Sequence, residues 1–192
     1  MHVLLIHQSF AALDEPGGTR HHEMARYLAR GGHRVTVIAS PVSYLTGGAR
    51  VESRSSGETR PEPNVAILRP YTYPAFHRSF VHRVFSFVSF MISSFAAGLR
   101  VRDVDLVWGT SPPIFQGVTA WALARLKRAP FLFEVRDLWP AFAIQVGVLR
   151  NGLLIRASRW LERFLYRRAD TVMVNSPGFI EHVKRRGARR VE

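Results

Sequence analysis

Short apolar runs alternate along the chain with longer segments of helical period, and no other feature constrains the fold as strongly. Residues 2–7, 34–39, 65–69, 104–108, 131–135 and 171–174 are rich in Val, Ile, Leu and Phe and read as strands. Residues 19–30, 76–100, 113–127, 153–168 and 177–186 read as helices. Thr19 is placed as an N-cap, Gly31-Gly32 as a stop, and Pro112-Pro113 at a helix start, where a missing N–H costs nothing. Met24, Tyr27 and Leu28 are expected on one apolar helix face. Residues 41–63 read as a long loop, and Val191 as the first residue of a further strand. Strands joined by crossover helices pair in parallel. The expected fold is an open, doubly wound, mainly parallel α/β sheet with helices on both faces. The 192 residues suit one domain, 1–192.

In such a sheet, ligands bind in the loops after the carboxyl ends of the strands. Here those loops are 8–18, 40–63, 70–74, 109–112, 136–147 and 175–176. The first lacks the Gly-x-Gly-x-x-Gly turn of dinucleotide sites, which disfavours a nicotinamide or flavin cofactor. Gly17-Gly18 before a helix start can still let an anion approach backbone N–H groups, with Thr19 beside them. A plain capped loop would look the same. His21-His22-Glu23 does not complete His-Glu-x-x-His, because position 26 is Arg. No metal is expected, and His21, His22 and Glu23 are assigned to the first turn of the helix, near the anion site.

Charge points the same way. Lys and Arg total 27 against 14 Asp and Glu, a net +13, and only Lys127 and Lys184 are lysines. Arginine binds phosphates bidentately, so nucleic acid, anionic lipid or a phosphorylated substrate would each fit. An arginine-rich genome would give the same bias. No helix-turn-helix, zinc finger or aromatic RNA platform is evident, so nucleic acid is not expected as a partner. With no Cys in the chain, a disulfide scaffold, a thiolate metal site and a Cys nucleophile are excluded.

Two loops carry chemistry. Thr110 and Ser111 are expected to cap the following helix and face the ligand edge. The segment 131–140, Phe-Leu-Phe-Glu-Val-Arg-Asp-Leu-Trp-Pro, delivers Glu134, Arg136, Asp137 and Trp139 to that edge. A structural Arg–Asp pair is the plainer account of the charges. The helix 76–100 is apolar with basic ends. Its Ser86, Ser89, Ser93 and Ala97 suit close packing. Phe80, Arg83, Phe87 and Met91 are the residues expected at a lipid interface, with sheet-covering as the alternative.

His7-Gln-x-Phe, then Pro-Gly-Gly-Thr-Arg, Thr-Ser-Pro-Pro and Glu-Val-Arg-Asp-Leu-Trp-Pro, with Gly147-Val-Leu, resembles the N-terminal half of family 4 retaining glycosyltransferases. The nearer resemblance is to the bacterial polysaccharide and capsule branch of fucosamine-type transferases. It implies one Rossmann-like half of a GT-B enzyme, binding an acceptor, often a polyprenyl-diphosphate-linked saccharide at the membrane. The nucleotide sugar, expected to be UDP-linked, would be bound mainly by a C-terminal domain outside 1–192, supplied in cis or in trans. The resemblance implies no other cofactor and no metal. It matches Gly17 and Gly18 to the glycine loop near the donor phosphate. Arg136 stands where many members have a catalytic-site His, and Asp137 becomes the candidate for polarising the acceptor. Without its donor half the chain is expected to be nearly inactive. The implied location is the cytoplasmic face of the cell membrane. A non-catalytic basic module for anionic lipid or another phosphorylated ligand is the alternative.

Overall fold

The computed structural model describes residues 1–11, 18–43, 58–74 and 80–192. Its strands are β1 (His2–Ile6), β2 (Arg34–Ile38), β3 (Glu58–Glu62), β4 (Val65–Leu68), β5 (Leu106–Ser111), β6 (Phe131–Val135) and β7 (Thr171–Val174). The helices are α1 (Arg20–Arg30), α2 (Phe80–Arg100), α3 (Phe115–Lys127), α4 (Ala141–Gln145), α5 (Gly152–Arg168) and α6 (Ile180–Arg185). The sheet order is β3-β4-β2-β1-β5-β6-β7. All pairings are parallel except β3 with β4. This is the doubly wound, mainly parallel sheet that the alternation predicts.

β1 is buried along its whole length, as a central strand covered on both faces must be. Two cores follow. Leu4 and Ile6 turn to one face, with Phe90 of α2, Leu123 of α3 and Leu165 of α5. Val3 and Leu5 turn to the other, with Ala25 and Ala29 of α1. α2, α3 and α5 therefore cover one face of the sheet and α1 the other. Gly109 and Gly117 let β5 and α3 approach closely. A Cβ at Gly109 would sit 2.5 Å from the Ala120 Cβ, and one at Gly117 would sit 2.6 Å from Phe133.

Several local expectations are corrected. The stretch 58–62 is a strand, made legible only by its antiparallel pairing with β4; residues 44–57 lie outside the described residues. α4 interrupts the loop after β6. β5 begins at Leu106 and runs on through Ser111, so Thr110 and Ser111 lie inside a strand rather than capping a helix. α3 starts at Phe115, beyond the proline pair. Thr19 precedes α1 without a side-chain capping bond, and Tyr27 of α1 is 79% exposed. The buried face of α1 is His21, His22, Ala25 and Ala29, because two alanines allow closer contact with the sheet than a tyrosine would. Val191 makes a parallel bridge to Val172.

Candidate functional site

The chain leaves β1 toward β2 on one side, and later returns from β4 to β5 on the other. The carboxyl ends of β1 and β5 are thus the switch point where a crevice opens. His7 follows β1 and Thr110 closes β5; His7 Nδ1 and Thr110 Oγ1 lie 2.8 Å apart. Gln116 Nε2 donates to the same Thr110 Oγ1 at 2.8 Å, and its Oε1 accepts from the Gln8 N–H at 2.7 Å. This network ties the first loop to α3 and fixes the floor of the crevice.

Glu134 lies on the adjacent strand, fully buried. One carboxylate oxygen accepts from Arg20 Nη1. The other lies 2.7 Å from His21 Nε2 and accepts from Trp108 Nε1 at 3.2 Å. Burial pushes the Glu134 carboxyl up, but the His21 bond and charge, then Arg20, outweigh it and hold the group below the usual carboxylate range. The His21 ring lies against His7, tilted by 31° with centroids 4.0 Å apart. Glu134 therefore acts from below, orienting Arg20, whose side chain is 45% exposed at the start of α1.

Arg136 leaves β6 half-buried. Its guanidinium donates to the carbonyls of Ser111 at 3.4 Å and Pro112 at 3.2 Å. Burial pulls its pKa down, Glu134 and Asp137 oppose that, and Arg20 adds to the lowering. The positive charge of Arg20 thus bears on Arg136 as well as on Glu134. Asp137 is exposed beside them. Gly18 is exposed, with nothing within 4 Å of a would-be Cβ. Thr19 is half-buried at the helix start.

Gly18, Thr19, Arg136 and Asp137 all lie exposed or half-buried, Gly18 and Thr19 just before α1 and Arg136 and Asp137 just after β6. Gly17 lies outside the described residues. Thr110, Ser111 and Glu134 reach the edge but sit beneath its surface, at 0%, 3% and 0% exposure, where they support the crevice instead of lining it. His22 turns away and stacks on Phe10, with centroids 5.5 Å apart. Trp139 leans on Phe115, which stacks on Phe87 of α2. Sequence reading set His21 near the anion site with no partner, and it missed Arg20. The signal available was their place in the first turn after Gly18-Thr19, but only the fold reveals that a buried carboxylate from residue 134 meets them.

On α2, Arg83 is exposed and Phe87 faces α3. The Met91 carbonyl accepts from Thr119 Oγ1 of α3 at 3.1 Å. The side chain of Phe80 lies outside the described residues. The outward stripe is Val81, Phe85, Ile92 and Leu99, each about half or more exposed. Ser86, Ser94 and Gly98 are buried, Gly98 close against Leu123, so one face of α2 covers the sheet. Ser89 Oγ accepts from the Tyr73 N–H at 2.9 Å, and Ser93 Oγ donates to the Tyr71 carbonyl.

Solved structures share this architecture. Sucrose-phosphate synthase from Thermosynechococcus elongatus is 13% identical with a TM-score of 0.70, covering 100% of this chain and 47% of that one. Arabidopsis thaliana UGT89C1 is 18% identical with a TM-score of 0.59, covering 99% and 48%. CalG4, the calicheamicin glycosyltransferase, is 15% identical with a TM-score of 0.55, covering 99% and 50%. This chain thus spans about half the length of each, and at these identities the likeness speaks for the fold alone, a GT-B Rossmann-like half-domain. No curated protein matches the sequence. A family model matches residues 17–192, the stretch that carries Arg20, Thr110, Glu134 and Arg136, and the chain belongs to the glycosyl transferase 4-like domain family.

Proposed function

We propose that this chain is the acceptor-binding half of a retaining glycosyltransferase. It would accept a sugar from a UDP-linked donor onto a polyprenyl-diphosphate-linked saccharide, in cell-surface polysaccharide synthesis of the fucosamine-type branch. The observation that carries the reading is the pair of guanidiniums, Arg20 and Arg136, at the switch-point crevice. Glu134 aims the first and two backbone carbonyls anchor the second. A diphosphate is the ligand that two preorganised arginines suit best.

In the reaction, Gly18 and Thr19 let the donor phosphate approach the α1 N-terminus. Asp137 polarises the acceptor hydroxyl. The leaving diphosphate takes the acceptor proton on the same face, so configuration is retained. A donor-binding domain, in cis or in trans, supplies the remaining stabilisation of the diphosphate, and no metal takes part. The outward apolar stripe of α2, with Arg83, Arg100 and Arg102 near its ends, supports a peripheral location on the cytoplasmic membrane face.

Titration of the chain with a short-chain polyprenyl-diphosphate saccharide and with a panel of nucleotide sugars tests this reading. Acceptor binding that weakens about tenfold or more in Arg20→Gln is expected, since a charge-assisted hydrogen bond contributes about 1.5–3 kcal/mol. Tight nucleotide-sugar binding with no acceptor binding would overturn it.

A further inference from the structure

The same sheet face that carries α2 also carries α5, and α5 is unlike any other helix in the chain. Arg156, Arg159, Arg163 and Arg167 follow one another at spacings of three and four, a single stripe about 16 Å long at ~1.5 Å per residue. They line a surface groove of about 480 Å³ together with Trp160. Trp160 is 65% exposed and stacks on Phe164 with centroids 5.4 Å apart, while Arg168 lies over the Phe164 ring at 5.7 Å. Among the described residues no carboxylate forms an ion pair with any of these five arginines. At the start of the same helix Leu153 and Leu154 are exposed, at 69% and 48%.

We propose that the α5 groove docks the protein on an anionic phospholipid bilayer. A single bound phosphate would engage two or three guanidiniums, so a row this long matches a lattice of headgroups. Trp160 and the two leucines add what a soluble polyanion would not use: an aromatic suited to the headgroup boundary, and aliphatic groups suited to the acyl boundary beneath it. The stripe also continues a face already suited to lipid. α2 and α5 flank α3 in one layer, packed on the same core, and α2 turns Val81, Phe85, Ile92 and Leu99 outward. The inference deepens the membrane reading above and rests on it for the choice of bilayer, while placing the charged contact on α5.

Sedimentation with vesicles that contain no saccharide acceptor tests the docking, so acceptor binding can fail without deciding the outcome. Vesicles of 30% phosphatidylglycerol in phosphatidylcholine are compared with pure phosphatidylcholine, at low and high salt. Binding to the anionic vesicles only, reduced by salt, is expected. Each of Arg156→Gln, Arg159→Gln and Arg163→Gln should lower partitioning about fivefold, as expected for roughly 1 kcal/mol per surface arginine. Trp160→Ala should lower it further. A matched charge removal at the end of α1, which covers the opposite face, Arg30→Gln, should leave it within twofold. Because these positions are exposed, unchanged circular dichroism and melting serve to confirm the fold. Equal loss from the α5 arginines and from Arg30, equal binding to neutral vesicles, or release of bound protein by duplex DNA at equal phosphate would each overturn the proposal.

Discussion

Two buried glutamates in this molecule are built from the same parts and serve different ends. Glu134 and Glu162 are both fully buried, and each is held by one histidine and one arginine. Glu134 takes His21 and Arg20; Glu162 takes His182 at 2.8 Å and Arg186 at 3.2 Å. The difference lies in the arginines. Arg186 is covered, its side chain 23% exposed at the α5–α6 joint, whereas Arg20 is 45% exposed over the crevice. The Glu162 cluster is mostly covered, and burial, with the Glu162 charge, pushes the neighbouring Tyr166 phenol up. Identical chemistry thus fastens two helices in one place and presents a cation in the other.

The largest effect should come from Glu162→Gln. It leaves Arg186 covered and uncompensated, and urea unfolding should show a loss of about 3–5 kcal/mol. Acceptor affinity of the molecules that remain folded should not change. Glu134→Gln should cost less stability, roughly 1–3 kcal/mol, because Arg20 can turn to water. It should lose acceptor affinity as well, since Arg20 is no longer aimed. Equal affinity in the two variants would erase the distinction between the clusters.

Acid sharpens the comparison next. The carboxyl of Glu134 is held below its unfolded value, so its contribution is complete above about pH 4.3. It is lost as the pH falls through the lower folded value. Unfolding curves of wild type and Glu134→Gln should therefore converge in strong acid; a gap that persists there would mean the charge of Glu134 is not what matters. The smallest stability effect is expected for Gly18→Ala. Open space surrounds that position, so melting should not move. Any fall in donor-side binding by a complete enzyme would then report a ligand approaching the backbone, while a shifted melting point would show that the glycine serves the fold.

Much of the fold was legible because apolar period and punctuation are local properties. β1, β2, β4, β6 and β7, and the helices α1, α3 and α5, lie close to where those patterns place them. β3 escaped because Glu-Thr-Arg-Pro-Glu has no strand pattern, and its extended form comes from pairing with β4. The crevice was legible in part. Loop position after a strand singled out Gly18, Arg136 and Asp137, which the structure leaves exposed or half-buried, and also Glu134, but as a residue facing substrate. Whether a side chain at a strand end points into the crevice or beneath it depends on sheet register and on the helix opposite. So Glu134 and Thr110 became supports, and Arg20 became the exposed cation.

By itself, then, the sequence determined the alternation of strands and helices, the parallel sheet, which loops follow the strands' carboxyl ends and the excess of arginine. These follow from periodicity, chain connectivity and composition, which need no knowledge of contacts far apart in the chain. The tertiary structure alone decided which charges pair and which stay open. Residues 20 and 134 are separated by more than a hundred positions, as are His7 and Thr110, and only the order of strands in the sheet makes them neighbours. Burial then settles the chemistry: in a site closed to water a charge must find its partner, and on an exposed helix such as α5 it is left to face whatever arrives.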